Sequence, residues 1–161
     1  MNNANVVIRA AELTDINALL ELNRQIGELH YRHAPTVFAE PSAAEKQFLT
    51  NMLKDSERLF LVSVNLGVVS GFLTAMIAQN EVVPFINKAP VCRVNTIVVD
   101  QQHQALGLGK QLMQACQTWA STHGAEEIRL EVMEFNHQAQ HFYDSLGFQT
   151  QSRIMSKKIL S

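Results

Sequence analysis

The chain has 161 residues, 47% of them hydrophobic and 17% charged, with a formal net charge of -2. A chain of this length buries roughly two thirds of its unfolded surface, so one domain over residues 1–161 is expected to fold on its own core without a disulfide or metal staple. The near-balanced charge leaves no electrostatic footprint for nucleic acid or a membrane surface, the short pair Lys157-Lys158 apart, and no stretch reaches the roughly eighteen apolar residues of a membrane span.

Cys92 and Cys116 are the two cysteines, and neither stands in a metal-ligand spacing. Both are expected as buried thiols in a reducing compartment. Met1 to Ala10 lacks the basic start and apolar run of a secretion signal, which makes a cytoplasmic location the default expectation.

In chain order, Val6 to Ala10 reads as a first strand. Thr14-Asp15 then offers caps for a helix carrying Ile16, Leu19, Leu20, Leu22, Ile26 and Leu29, ending near His30 to His33. Ala34-Pro35 and Glu40-Pro41 punctuate a loop, after which Ser42 and Glu45 form a capping box before a helix with Phe48, Met52 and Leu53. Leu59 to Val64, the Asn65-Leu66-Gly67 turn and Val68 to Ala78 read as a hairpin rich in β-branched and aromatic residues. A strand follows from Val91 to Val99. From Gly107 to Thr122, Leu108, Leu112, Ala115, Cys116 and Trp119 share one helical face, with Gly124 as a stop signal. Glu127 to Met133 is a further strand, a helix starts at or just after Asn136 and ends before Gly147, and a closing strand is expected between Phe148 and Ile159. The order β-α-α-β-β-β-α-β-α-β implies an α/β (α+β) fold: a mixed sheet with helices on its faces and one β-α-β crossover.

The run Gln104-Ala105-Leu106-Gly107-Leu108-Gly109, between the strand-like Asn95-Thr96-Ile97-Val98-Val99 and an amphipathic helix, reads as an anion cradle. Two closely spaced glycines remove Cβ atoms where backbone amides approach an anion, and the helix aims its unpaired N–H groups at the same point. A Walker-type loop ending at Gly109-Lys110 would need glycine at Gln104 and Ser or Thr at Gln111. A dinucleotide fingerprint starting at Gly107 would need Gly or Ala at Leu112. Neither requirement is met.

The pattern Gln-x-x-Gly-x-Gly after an apolar strand resembles the acetyl-CoA signature of the GNAT superfamily of N-acetyltransferases. A second stretch, Asn136-His137-Gln138-Ala139-Gln140-His141-Phe142-Tyr143-Asp144-Ser145-Leu146-Gly147-Phe148, is similar to that family's later motif, Asn-x-x-Ala-x-x-Phe-Tyr-x-x-x-Gly-Phe. Together the two cover residues from about 94 to 148. The commoner family form has arginine and glycine where Gln104 and Ala105 stand. The resemblance implies a mostly antiparallel sheet splayed at a central parallel pair, with acetyl-CoA as co-substrate and no metal. It implies an amine acceptor as partner and admits a homodimer.

On that resemblance, Gln104, Ala105, Leu106, Gly107, Leu108, Gly109 and Lys110 belong to the cofactor site, and the donor's pyrophosphate sits on the amides of Ala105 to Lys110, where a helix N-terminus contributes about 0.3 to 1 kcal/mol. Ile97, Val98 and Val99 pair their backbone with the pantetheine arm, and an N–H of Ile97 or Val98 serves as oxyanion donor. Asn136 belongs to the cofactor site, and Tyr143, seven residues on along the same helical face, is the general acid for the leaving thiolate. As alternatives, Tyr143 is a packed aromatic beside Phe142 and Asn136 an ordinary helix N-cap. Glu131 matches the position at which one branch of the family keeps its base, or is a strand-surface charge; Glu81 and Asp100 are weaker candidates. His30, Tyr31, His33 and Phe38 are expected to line the acceptor site. His137 and His141 have a metal-pair spacing, but no acidic or cysteine ligand completes it. A catalytically silent acyl-CoA-binding sensor is the competing reading of the whole chain.

Overall fold

The computed structural model describes residues 5–104 and 106–160, so Ala105 of the glycine loop lies outside the described residues. The chain divides by contacts into two compact units, residues up to Glu131 and residues from Val132 onward, and each is described by itself.

The first unit is built on a five-stranded sheet of β1 (Val6–Ala10), β2 (Arg58–Asn65), β3 (Val68–Ala78), β4 (Val91–Val99) and β5 (Ile128–Arg129), in that spatial order. The first three pairings are antiparallel and the last, β4 with β5, is parallel. The fold is therefore the expected mixed, mostly antiparallel sheet, with its parallel pair at the end of the sheet. Helices α1 (Ile16–His33) and α2 (Ala44–Leu53) precede β2, while α3 (Leu108–Thr122) makes the crossover from β4 to β5.

Period-two alternation sorts the strand side chains between two helical layers. Phe60, Val62, Phe72 and Val98 pack with Leu19 and Leu22 of α1 and Leu49 and Met52 of α2. The opposite face receives α3, whose Leu108, Leu112, Met113, Cys116 and Ala120 are buried. Phe48, grouped with Met52 and Leu53 in the sequence, is 61% exposed instead, and Leu49 takes the buried place one residue later on the α2 face. Cys92 on β4 and Cys116 on α3 meet with their Sγ atoms 3.8 Å apart, both buried.

Local sequence explains the junctions. Asp15 is buried, takes a bidentate ion pair from Arg9 at 2.8 and 2.9 Å, and accepts from the Glu12 N–H at 2.8 Å, tying β1 to the start of α1. The hydrogen bonds from Arg9 outweigh burial and hold the Asp15 carboxyl below its ordinary range. Ser42 and Glu45 form only half of the expected box before α2: the Ser42 N–H donates to Glu45 Oε1 at 3.3 Å, but Ser42 Oγ accepts from the Ala44 N–H at 3.3 Å and the Glu45 N–H bonds to Ser42 O instead. The β2–β3 hairpin closes through Leu66 and Gly67, with φ of 51° and 79°, the paired left-handed conformation of a tight hairpin turn.

β5 is shorter than the strand expected over Glu127 to Met133, because the chain leaves the sheet after Arg129. In the second unit, α4 (His137–Ser145) forms as expected, but no strand follows it among the described residues. The closing strand fails for a patterning reason. Ile154-Met155 and Ile159-Leu160 are adjacent apolar pairs, so an extended chain would send one member of each to either face, and all four are at least 81% exposed.

Candidate active site

The outer edge of β4 carries the first element of the site. β5 pairs with it only at Cys92 and Arg93, through the Cys92 N–H bonded to Glu127 O at 2.9 Å. Beyond Arg93 the parallel pair opens. The β3–β4 register shifts between Thr74 and Ala75, leaving Asn95 as the extra residue of a β-bulge, a feature that bends a strand and recurs beside active sites.

The direction of each backbone group past the bulge follows from one hydrogen bond. The Asp100 N–H donates to Ser70 O at 2.8 Å, so in the alternation of an antiparallel ladder Val98 and Thr96 also bond across to β3. Ile97 and Val99 then turn their N–H and C=O groups toward the open edge. Two contacts agree: Gln104 Nε2 donates to Val99 O at 3.5 Å, and a Cβ built on Gly71 of β3 would stand 2.8 Å from Val98 O. Of the two N–H groups expected as oxyanion donors, Ile97's faces the edge and Val98's is directed into the sheet. Val99 offers a second outward N–H that the sequence reading used only for cofactor binding.

The glycine loop follows. Asp100 accepts from the Gln102 N–H at 3.2 Å, and its carboxylate also meets Gln25 Nε2 at 3.3 Å and His103 Nδ1 at 3.2 Å. Burial opposes ionisation here, but these hydrogen bonds prevail and hold the Asp100 carboxyl below its ordinary value. Asp100 is thereby spent on shaping the turn into the loop. Gly107 has φ of 75° and is the N-cap of α3, and its carbonyl accepts the first helical bond from Gln111 N at 3.1 Å. That left-handed conformation strains a residue with a Cβ even though open space surrounds the position.

The first turn of α3 differs from those of α2 and α4, while α1 likewise starts without a side-chain cap or an acidic residue in its first turn. α4 is capped by Asn136 Oδ1, which accepts from the Ala139 N–H at 3.1 Å, and α2 has Glu45 in its first turn. α3 has neither a side-chain cap nor an acidic residue there, and Lys110 adds a positive charge to the positive end of the helix dipole. The amides of Leu108, Gly109 and Lys110 have no i−4 partner within the helix. Such a start is unfavourable for a helix standing alone and favourable once an anion is bound.

In the second unit, Tyr143 lies on α4 between two rings, with centroid distances of 5.4 Å to Phe142 and 5.7 Å to Phe148. Burial pushes its phenol up to about 12, so the hydroxyl is protonated throughout the neutral range. Asn136 has its Oδ1 committed to the α4 cap, which leaves Nδ2 as the atom it could offer a ligand. Glu131 is exposed and stands two residues beyond the paired part of β5, not within a strand.

The residues expected to line the acceptor site separate into two groups. His30 and Phe38 meet edge to face at 4.6 Å, with His30 Nδ1 2.7 Å from Ile26 O. Tyr31 lines an open depression with Arg24, Glu28, Arg32, Glu40 and Pro41, and His33 is exposed. Among the described residues no group of three or more His, Cys, Asp or Glu side chains could hold a metal ion. None of the described helices is long and apolar enough to cross a membrane.

A mixed sheet whose parallel pair opens beside an uncapped helix start is, on comparison with known proteins, the fold of an acyl-group transferase family. Residues 22–148 match the acetyltransferase (GNAT) family. An N-alpha-acetyltransferase of Sulfurisphaera tokodaii is 30% identical over 146 residues, covering 88% of this chain and 78% of that relative. Among solved structures, a point mutant of the BH1408 protein from Bacillus halodurans superposes with a TM-score of 0.90 at 22% identity, covering 96% of this chain and 99% of that one. The aminoglycoside N-acetyltransferase AAC(6')-Iy in complex with CoA gives 0.76 at 23% identity, covering 96% and 94%. At these identities the structural likenesses speak for the fold. The chain belongs to the GNAT acetyltransferase family.

Proposed function

We propose that this chain moves an acetyl group from acetyl-CoA to a primary amine of a small molecule or a protein, by direct attack through a tetrahedral intermediate. The observation that carries the reading is the start of α3, where an uncapped, acid-free first turn with Lys110 adjoins the open edge of β4. The amides from Leu106 to Lys110 bind the pyrophosphate. Ile97 and Val99 complete their backbone hydrogen bonds on the pantetheine arm, which then behaves as an added strand. The Ile97 N–H faces the oxyanion as it forms, an effect worth roughly 3 kcal/mol in comparable sites. Tyr143 gives its proton to the departing thiolate and Glu131 takes the proton of the attacking amine. Asn136 contributes to the cofactor site through Nδ2, while His30, Tyr31, His33 and Phe38 bound the acceptor. The family match runs from the first unit into the second, which supports reading residues 1–161 as one catalytic domain.

Mixing the protein with acetyl-CoA and a panel of amines tests the reading: free thiol is released in an amine-dependent way. Acetyl-CoA binding without release for any amine would leave a sensor domain instead. Tyr143→Phe is expected to lower kcat by about a hundredfold or more, the usual worth of a placed acid, while leaving acetyl-CoA affinity within about twofold. Equal losses in both would return Tyr143 to a packing role. Glu131→Gln is expected to lower kcat and alter its pH profile, and an unchanged profile would remove Glu131 from the base position.

A further inference from the structure

The Gly147-Phe148 end of the second motif has no part in the chemistry described so far, yet the structure gives it a defined task. Three successive N–H groups turn back onto the last turn of α4: Leu146 to Tyr143 O at 3.0 Å, Gly147 to Asp144 O at 3.0 Å, and Phe148 to Tyr143 O at 3.1 Å. The last two are the paired bonds of a Schellman motif, and Gly147 supplies the left-handed residue it needs, with φ of 89°. This reversal brings the Phe148 ring edge-on to the Tyr143 ring, at 5.7 Å and 63°.

No hydrogen bond of the Tyr143 hydroxyl to a described residue is present, so packing holds the phenol, and the two aromatic rings against it are Phe142 and Phe148. Phe142 is carried by the same helix and follows Tyr143 wherever α4 goes. Phe148 is the neighbour whose place depends on a separate device, the glycine turn.

We propose that Phe148 is a positioning residue for Tyr143: anchored by the Gly147 turn, its ring fixes the direction of the phenol and keeps water from that side. The positioning stands on the geometry within this unit; its consequence for turnover rests on the acetyl-transfer reading. Burial is the one cause acting on Tyr143 ionisation, with no charged group of α4 or of the segment after it contributing. Removing the Phe148 ring therefore opens the shield without altering any charge.

The chain has two tyrosines, so in a Tyr31→Phe background the tyrosinate absorbance reports Tyr143 alone. With Phe148 in place, half-ionisation is expected near pH 12. In Phe148→Ala it is expected to fall toward the ordinary value near 10, with Phe148→Leu between the two. An unchanged titration in a variant whose circular dichroism shows it folded would overturn the proposal. Should Phe148→Ala not fold, Phe148→Leu decides, since it keeps the bulk and loses the ring. In the chain with Tyr31 intact, Phe148→Ala is expected to lower kcat about tenfold with KM for acetyl-CoA within about twofold. A shifted titration with unaltered kcat would strip Phe148 of its positioning role and leave only shielding. If the unmutated protein acetylates nothing, the acetyl-transfer reading fails by itself, and the titration still decides whether Phe148 holds Tyr143.

Discussion

Ile97, Val98 and Val99 are three consecutive β-branched residues, alike in composition and different in what their amides face. Hydrogen exchange reads that difference directly. In the free protein the Thr96 and Val98 amides, bonded to β3, are expected to exchange slowly, and those of Ile97 and Val99 much faster. Saturating acetyl-CoA is expected to slow Ile97 and Val99 selectively. Protection gained by Val98 instead would reverse the register derived from the Asp100–Ser70 bond. None of this alternation was legible in the sequence, because the phase of a ladder depends on its partner strand and on the bulge at Asn95. Tyr143 was legible as a candidate through its spacing from Asn136. The Asn136 cap was legible too, and the structure shows it.

Among the elements, β3 carries a constraint the sequence shows only as a glycine in a mostly apolar strand. A Cβ at Gly71 would meet Ser63 Oγ and Val98 O at 2.8 Å and Leu112 Cδ1 at 3.4 Å, and a backbone carbonyl cannot swing aside as a flexible side chain can. Gly71→Ala is therefore expected to cost about 1 to 3 kcal/mol in urea unfolding, as overpacking does, and to weaken acetyl-CoA binding through the displaced β4. A neutral result would mean that β3 and β4 separate more readily than their shared ladder implies. β3, β4 and α4 followed their local signals closely: branched residues in strands, and an Asn cap with a Gly stop around a helix. β5 did not: its pairing ends at Arg129, although Leu130-Glu131-Val132 alternates as a strand would.

At the level of the whole molecule, the fold class was readable from the order of elements, and the family from two motifs in sequence. The closing strand expected between Phe148 and Ile159 is not present among the described residues, and the adjacent pairing of apolar residues there argues against one buried face. Ligand linkage offers a global measurement of the proposed function. At a concentration of acetyl-CoA near one hundred times its Kd, the folded state gains about 2.7 kcal/mol. For a chain of this size that corresponds to a rise of about 5 to 10 °C in Tm, measured by differential scanning fluorimetry. No rise would remove the acyl-CoA site altogether.

Cys92 and Cys116 give the molecule one more property. The hydrogen bond between them holds Cys92 below and Cys116 above the ordinary thiol range, but both sulfurs are fully buried, so neither is presented to solvent. A chromogenic disulfide added to the native protein therefore reports the thiol liberated from the donor and not the chain's own sulfur. Denaturing the same sample afterwards exposes two further equivalents per chain, a stoichiometric standard for protein concentration carried inside the assay.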